Sequence, residues 1–212
     1  MVNALPRRER LRQELTEQIL ETGRRQLEEG GVAAVNWRGI AKEVGMNPAS
    51  LYTYIDSIDD LYTQILGRSF RSLADAVGTA AGQSPDNDVR GRLLTCARAY
   101  RRWAVEHPHE FNLIYTNQIP GYVAPAEGPA QRAAMDVTRP FVEALVELFS
   151  DQPDVISIDS LPVDRQAQIY EMRALMHGFT MLEINGHAPY LDGTGEPMLQ
   201  ALATLLDTAG GR

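Results

Sequence analysis

The chain has 212 residues and a mass of 23.5 kDa, with 44% hydrophobic and 23% charged residues. That is enough apolar matter for a sizeable core, and it excludes global disorder. A net charge of −8 and a pI near 5.0 argue against nucleic acid as a partner of the chain as a whole, and a single cysteine excludes both an intrachain disulfide framework and a Cys-rich zinc site. No uncharged apolar run approaches the roughly 18 residues that span a bilayer. The start, MVNALPRRER, has no apolar segment of the kind a secretory signal carries. The expectation is a cytoplasmic protein with no membrane partner.

The acidity is unevenly placed. Residues 1–71 carry 10 Lys+Arg and 10 Asp+Glu, whereas 72–212 carry 10 and 18. The argument against nucleic acid therefore applies only to the second part. The first part opens on a basic cluster, Arg7, Arg8, Arg10 and Arg12. Such a cluster fits a solvated helix start as well as an anion-binding arm.

Helical periodicity runs through the chain, and the predicted class is all-α. Leu11, Leu15, Ile19, Leu20 and Leu27 recur at helical spacing from about Arg8 to Glu29, where Gly30 and Gly31 end the helix. A short second helix covers about Trp37 to Val44, with Ile40, Ala41 and Val44 on one face and Gly45 closing it. A third starts at Pro48, with Asn47 as its N-cap and Leu51, Tyr52 and Ile55 on it. After the break at Asp56-Ser57, a fourth runs from about Ile58 to Ala80, with Leu61, Ile65 and Leu73 inward. The turn-rich GQSPDND (82–88) is the expected boundary. Beyond it come helices at about Val89–Glu106, a broken piece at Glu110–Thr116, the Pro/Gly-rich loop 119–129, and helices at about Ala130–Ser150, Val163–Gly186 and Glu196–Ala209. The loop 151–162 contains a VISI piece too short for a strand. The expected division is a head at 1–57, a connecting helix at 58–81 and a larger helical bundle at 82–212.

Two short helices around the four-residue turn Gly45-Met46-Asn47-Pro48 have helix-turn-helix spacing, which an unrelated helical hairpin also has. Leu51 and Ile55, at i and i+4, can anchor the second helix inward. Ala49, Ser50, Thr53 and Tyr54 are then free to face out, small and hydroxylated, as entry into a major groove about 12 Å wide demands. The residues themselves narrow the choice. Ile40-Ala41, Gly45, Leu51-Tyr52-x-Tyr54-Ile55 and Leu61, within residues 31–66, form a pattern that resembles the DNA-binding segment of the TetR family of transcriptional repressors. The resemblance implies that Asn47, Pro48, Ala49, Ser50, Tyr52, Thr53 and Tyr54 read the major groove of a double-stranded operator. It also implies that Trp37 and Arg38, at the start of the second helix, touch the DNA backbone. The family's usual lysine before the fourth helix is Ile58 here, among Asp56, Asp59 and Asp60, which weakens phosphate attraction at that point.

The segments 99–115 and 174–187 resemble the C-terminal domain of a TetR subgroup common in actinobacteria. That resemblance implies a homodimer through residues about 163–209 and an unidentified small-molecule ligand. The candidate pocket residues are Tyr100, Trp103, Phe111, Tyr115, Met135, Phe141, Met172, Met176 and His177, polar-tipped aromatics and flexible methionines that could equally form an ordinary core. Glu183 and His187 lie four apart with Gly186 between them and no third ligand at an obvious spacing, so no metal is expected. No cofactor and no catalytic pattern is read. The function expected is a ligand-responsive repressor acting as a homodimer on a palindromic operator. A different class, an all-α small-molecule-binding or adaptor protein whose head has lost DNA binding, is the alternative that Ile58 and the acidic surface favour. In the first reading the fourth helix, about 23 residues and about 34 Å long, is a lever between ligand and DNA.

Overall fold

The computed structural model of the protein describes residues 6–85, 87–116, 119–149, 158–188, 193 and 195–210. Among these, nine α-helices follow in order: α1 (Arg7–Gly30), α2 (Trp37–Glu43), α3 (Pro48–Leu51), α4 (Ile58–Gly82), α5 (Val89–Glu106), α6 (Pro108–Tyr115), α7 (Pro129–Phe149), α8 (Val163–Ile184) and α9 (Glu196–Gly210). Short 3-10 turns at Val32–Ala34 and Ile158–Ser160 complete the described structure, which has no strand. The all-α expectation holds. The VISI piece lies mostly outside the described residues. None of the described helices is long and apolar enough to cross a membrane.

The chain forms two compact units, Met1–Ser69 with Leu113–Arg132, and Phe70–Asn112 with Ala133–Arg212. These do not follow the order of the chain. Residues 113–132, expected within the second part, join the head because they supply apolar and polar partners to it. Leu113 and Ile119 are buried in the head's core, the Tyr122 hydroxyl lies 2.8 Å from Thr63 Oγ1, and its ring meets Tyr62 edge-on at 6.0 Å.

The core of the first unit is an apolar cluster of Ile19, Leu20 and Leu27 from α1, Ile40 and Ala41 from α2, Leu51 and Ile55, and Leu61, Tyr62 and Ile65 from α4. These are the inward faces that the periodicity predicts, except at the start of α1, where Leu11 is 55% exposed and Leu15 half-buried. Removing such side chains from water supplies about 25 cal/mol per Å² of apolar surface, which holds four short or amphipathic helices that are marginal alone.

In the second unit α8 and α9 pack on each other and both pack on α5. Ile169, Met172 and Met176 of α8 and Leu199, Leu202 and Leu206 of α9 are buried within the single chain. Much of the apolar surface within residues about 163–209, through which the resemblance implies a homodimer, is thus used inside one chain. What α8 leaves exposed is a different row at i+4 spacing: Tyr170, 58% exposed, then Ala174, the half-buried Gly178, and Leu182, 42% exposed. A buried arginine ties the same helices. Arg101 donates from Nε to Glu183 at 2.7 Å, and from its terminal nitrogen to the same carboxylate and to the Gly193 carbonyl. Losing either partner would strand a buried charge, a change that costs about 3–5 kcal/mol.

Candidate nucleic-acid interface

Each end of the α2–turn–α3 motif is fixed by a local device. Asn36, in an extended conformation, caps α2 by accepting from the Gly39 N–H at 2.5 Å. Gly45 ends it in the left-handed region, at φ 70°. The Met46 N–H donates to the Ala41 carbonyl at 2.8 Å, and the Gly45 N–H to the Lys42 carbonyl at 3.3 Å. This is the paired closure in which a glycine just past the helix satisfies the last carbonyls. Asn47 then accepts from the Ala49 N–H at 2.9 Å, and Pro48 takes the first helical position. Asn36 is the cap that sequence reasoning missed; an Asn three residues ahead of Gly39 was its signal.

α3 is regular only from Pro48 to Leu51, shorter than the periodicity implies. The chain then tightens. Thr53 and Tyr54 donate three residues back, to Ser50 at 3.1 Å and Leu51 at 2.8 Å, before the Ile55 N–H returns to the Leu51 carbonyl at 3.0 Å. The tightening keeps both Leu51 and Ile55 fully buried, which anchors the segment from below.

The outward face follows from that anchor. Arg38, Asn47, Ala49, Tyr52 and Thr53 are exposed, and Trp37, Pro48, Ser50 and Tyr54 are half-buried. Tyr54, expected outward, packs against the head's core with its ring. Arg12 of α1 reaches the Thr53 carbonyl at 3.3 Å, so one member of the N-terminal basic cluster holds the end of the recognition segment. The acids around Ile58 have structural work. The Ser57 hydroxyl accepts from the Asp60 N–H at 3.0 Å, and the Asp60 carboxylate accepts from the Asp56 N–H and from Gln64, each at 3.1 Å. Asp59 and Asp60 occupy the first turn of α4, where the helix dipole favours negative charge.

The second unit gathers part of the candidate pocket set. Tyr100 donates or accepts at 2.9 Å with His177 Nδ1. Phe111 stacks on His177 at 5.6 Å and meets Tyr100 edge-on at 5.4 Å, and Phe141 meets Tyr100 edge-on at 6.4 Å. Trp103 adjoins Phe111 at 6.5 Å and donates its indole N–H to Ser72 at 3.0 Å. Met172 and Met176 are buried. Met135 is 53% exposed, and Tyr115 belongs to the first unit. Burial, and secondarily the positive charge of Arg173, pull the His177 pKa below its usual value, which keeps the ring neutral. The Glu183 carboxylate is engaged by Arg101, and His187 is exposed.

Two family profiles match the chain: bacterial regulatory proteins of the tetR family over residues 19–65, and the tetracyclin repressor-like C-terminal domain over 93–207. The HTH-type transcriptional regulator Rv1816 of Mycobacterium tuberculosis is 36% identical over 119 residues, 56% of this chain. The match spans only 51% of that relative, about half its length. Among solved structures, SCO4313 superposes with a TM-score of 0.75 at 26% identity, covering 98% of this chain and 100% of that one. SCO4454, a TetR-family transcriptional regulator from Streptomyces coelicolor, gives 0.64 at 20% identity, covering 93% and 90%, and shares the fold.

Proposed function

Because the chain belongs to the TetR family of bacterial regulatory proteins, we propose that it is a DNA-binding transcriptional regulator that represses from a palindromic operator as a homodimer in the cytoplasm. The observation that carries this reading is the capped α2–turn–α3 motif, anchored by fully buried Leu51 and Ile55, with Arg38, Ala49, Tyr52 and Thr53 exposed on one motif. A two-fold dimer would present two such segments to two equivalent half-sites. The exposed row Tyr170, Ala174, Gly178 and Leu182 on α8 supports a self-contact within residues 163–209.

The Tyr100–Phe111–Phe141–His177 cluster, with Met172 and Met176, is the proposed place for an apolar small molecule carrying one polar group. Aromatic walls supply area and the neutral His177–Tyr100 pair supplies the hydrogen bond. Ligand can regulate only by binding the operator-free and operator-bound conformations with different affinity.

The deciding experiment is selection of duplexes from a random pool by the full-length protein, followed by gel shift and sedimentation. The expected result is enrichment of a two-fold-symmetric sequence bound by a dimer. Failure to retain any duplex at low salt would overturn the reading in favour of a binding protein without DNA. For the coupling, a copurified ligand should bind free and duplex-bound protein with different affinity; equal affinities would exclude regulation by linkage.

A further inference from the structure

The inward side of α1 changes character where the helix leaves the head's core. Ile19 is fully buried and Leu15 half-buried, and Arg12 and Arg8 continue the same row at spacings of three and four, so all four lie along one side of the helix. From Arg7 to Glu14 every residue is exposed. A stripe that is aliphatic over the core is thus cationic where it runs past it. Arg12 shows which way this side faces, because its guanidinium meets the Thr53 carbonyl at 3.3 Å, at the end of the recognition segment. Arg8 follows one turn on, about 5.4 Å further along the same side. Other arginines of the head are neutralised: Arg24 pairs with Glu21 and Glu28, Arg25 with Glu43, and Arg68 with Glu17. Arg7, Arg8, Arg10 and Arg12 have no carboxylate partner among the described residues. Cations in the first turns of a helix also oppose its dipole, so this cluster adds nothing to the stability of α1 itself.

We propose that Arg8 and Arg12 form a second contact with the duplex, gripping backbone phosphates just outside the base pairs that α3 meets. This deepens the DNA-binding reading above and rests on it. A guanidinium offers a phosphate two parallel N–H donors, and one that is exposed and has no carboxylate partner gives up little to bind. Arg12 spends one terminal nitrogen on the Thr53 carbonyl and keeps other N–H groups of its five for a phosphate. In the complex it therefore ties the end of the recognition segment to the DNA backbone. Each phosphate neutralised releases counterions, and the pair supplies positive charge to a head whose α4 begins Ile58-Asp59-Asp60. Arg10, on the opposite side of α1, takes no part.

The test uses the full-length protein and a duplex taken from the random-pool selection, lengthened at both ends. Replacing Arg8 and Arg12 together by Ala should weaken binding roughly ten- to a hundredfold, on selected and scrambled duplexes alike. The slope of log K against log salt should become shallower by about 1 for each arginine removed from each protomer. Arg10→Ala should stay within about twofold of the parent. Arg12→Gln keeps a donor for the Thr53 carbonyl and loses only the charge, so it should also flatten the slope; a purely structural role for Arg12 would leave the slope unmoved. Phosphate-ethylation interference should find phosphates flanking each half-site that matter to the parent protein and not to the double variant, the coupling of a double-mutant cycle. A slope unchanged in the double variant, or flanking phosphates that interfere equally in both proteins, would overturn the inference with DNA binding intact. If either substitution at Arg12 prevents folding, Arg8→Ala alone, at an exposed position, decides by the same slope and interference. If the parent protein binds no duplex, the DNA-binding reading falls, and this inference falls with it.

Discussion

The head around α2 and α3 is built from neighbours in sequence: Asn36, Gly45, Asn47 and Pro48 each act on residues no more than five positions away. The aromatic cluster of the second unit is built the other way. Tyr100, Phe111, Phe141 and His177 come from α5, α6, α7 and α8 and meet only after the helices have packed. The difference has an energetic side. In the α2–turn–α3 motif the helix ends are closed by local backbone and cap bonds, with Arg12 reaching in to the Thr53 carbonyl, and a few fully buried aliphatics hold the outward face in place. In the second unit, side chains from distant segments satisfy one another, as the Tyr100–His177 and Arg101–Glu183 pairs do. A local device sets a surface for an external partner. A nonlocal cluster sets an interior, and any ligand it takes competes with its own packing.

The sharpest way to break this comparison is to remove one anchor from each region. Phe111→Ala, at 0% exposure, should cost about 3–5 kcal/mol and Leu51→Ala, also at 0%, about 2–5 kcal/mol. Urea unfolding followed by circular dichroism measures both. At temperatures where each variant remains folded, Leu51→Ala should lose duplex affinity and Phe111→Ala should retain it. Equal loss of affinity in both would mean that the outward face of the head is not set locally.

A smaller effect separates two glycines. Gly45 sits at φ 70°, in the left-handed region, and nothing lies within 4 Å of where its Cβ would be. Gly45→Ala should therefore cost about 1–2 kcal/mol from backbone strain alone. Gly178 lies within α8, also with open space around a built Cβ. Gly178→Ala should gain up to about 1 kcal/mol in helix propensity. Thermal melts compare the two directly. If Gly178→Ala instead shifts the protein toward monomer in sedimentation, the Tyr170–Leu182 row is the self-contact, and the open space is filled by the second copy.

This contrast also explains what could be read from the residues. Helix positions came through nearly everywhere, since periodicity and the punctuation of Gly31, Gly45, Asn47 and Pro48 are local signals. The inward faces of α2 and α4 were equally legible. Three things were not. The joining of 113–132 to the head depends on Tyr122 meeting Thr63, 59 residues away, which no local pattern encodes. Apolar periodicity marks the buried stripe of α8 without saying whether α5 and α9 or another copy covers it. The Arg101–Glu183 pair joins two ordinary surface-type residues, and only packing made them interior. In the head, the resemblance supplied the outward residues together, while the fold separated them into the exposed Tyr52 and Thr53 and the half-buried Tyr54.

The smallest expected effect concerns protons and belongs to the second unit alone. Burial lowers the His177 pKa, with Arg173 adding to it, so the folded state resists protonating a ring that the unfolded chain protonates near pH 6.5. As pH falls through that value the unfolded state binds more protons than the folded one, and stability declines until the folded pKa is passed. Above pH 6.5 this contribution is complete and flat. Urea midpoints taken between pH 8 and pH 5 should show the decline, and His177→Gln should remove its share of it. The head offers a control, since the chain's four histidines are His107, His109, His177 and His187, all outside α2 and α3. A ligand that accepts a hydrogen bond from the His177–Tyr100 pair should bind best above the same pH if the ring must remain neutral, and more tightly below it if the charged ring is the better donor. Titration calorimetry across that range with a copurified ligand tells the two apart, and an affinity unmoved by pH in the parent protein would place the ligand away from His177.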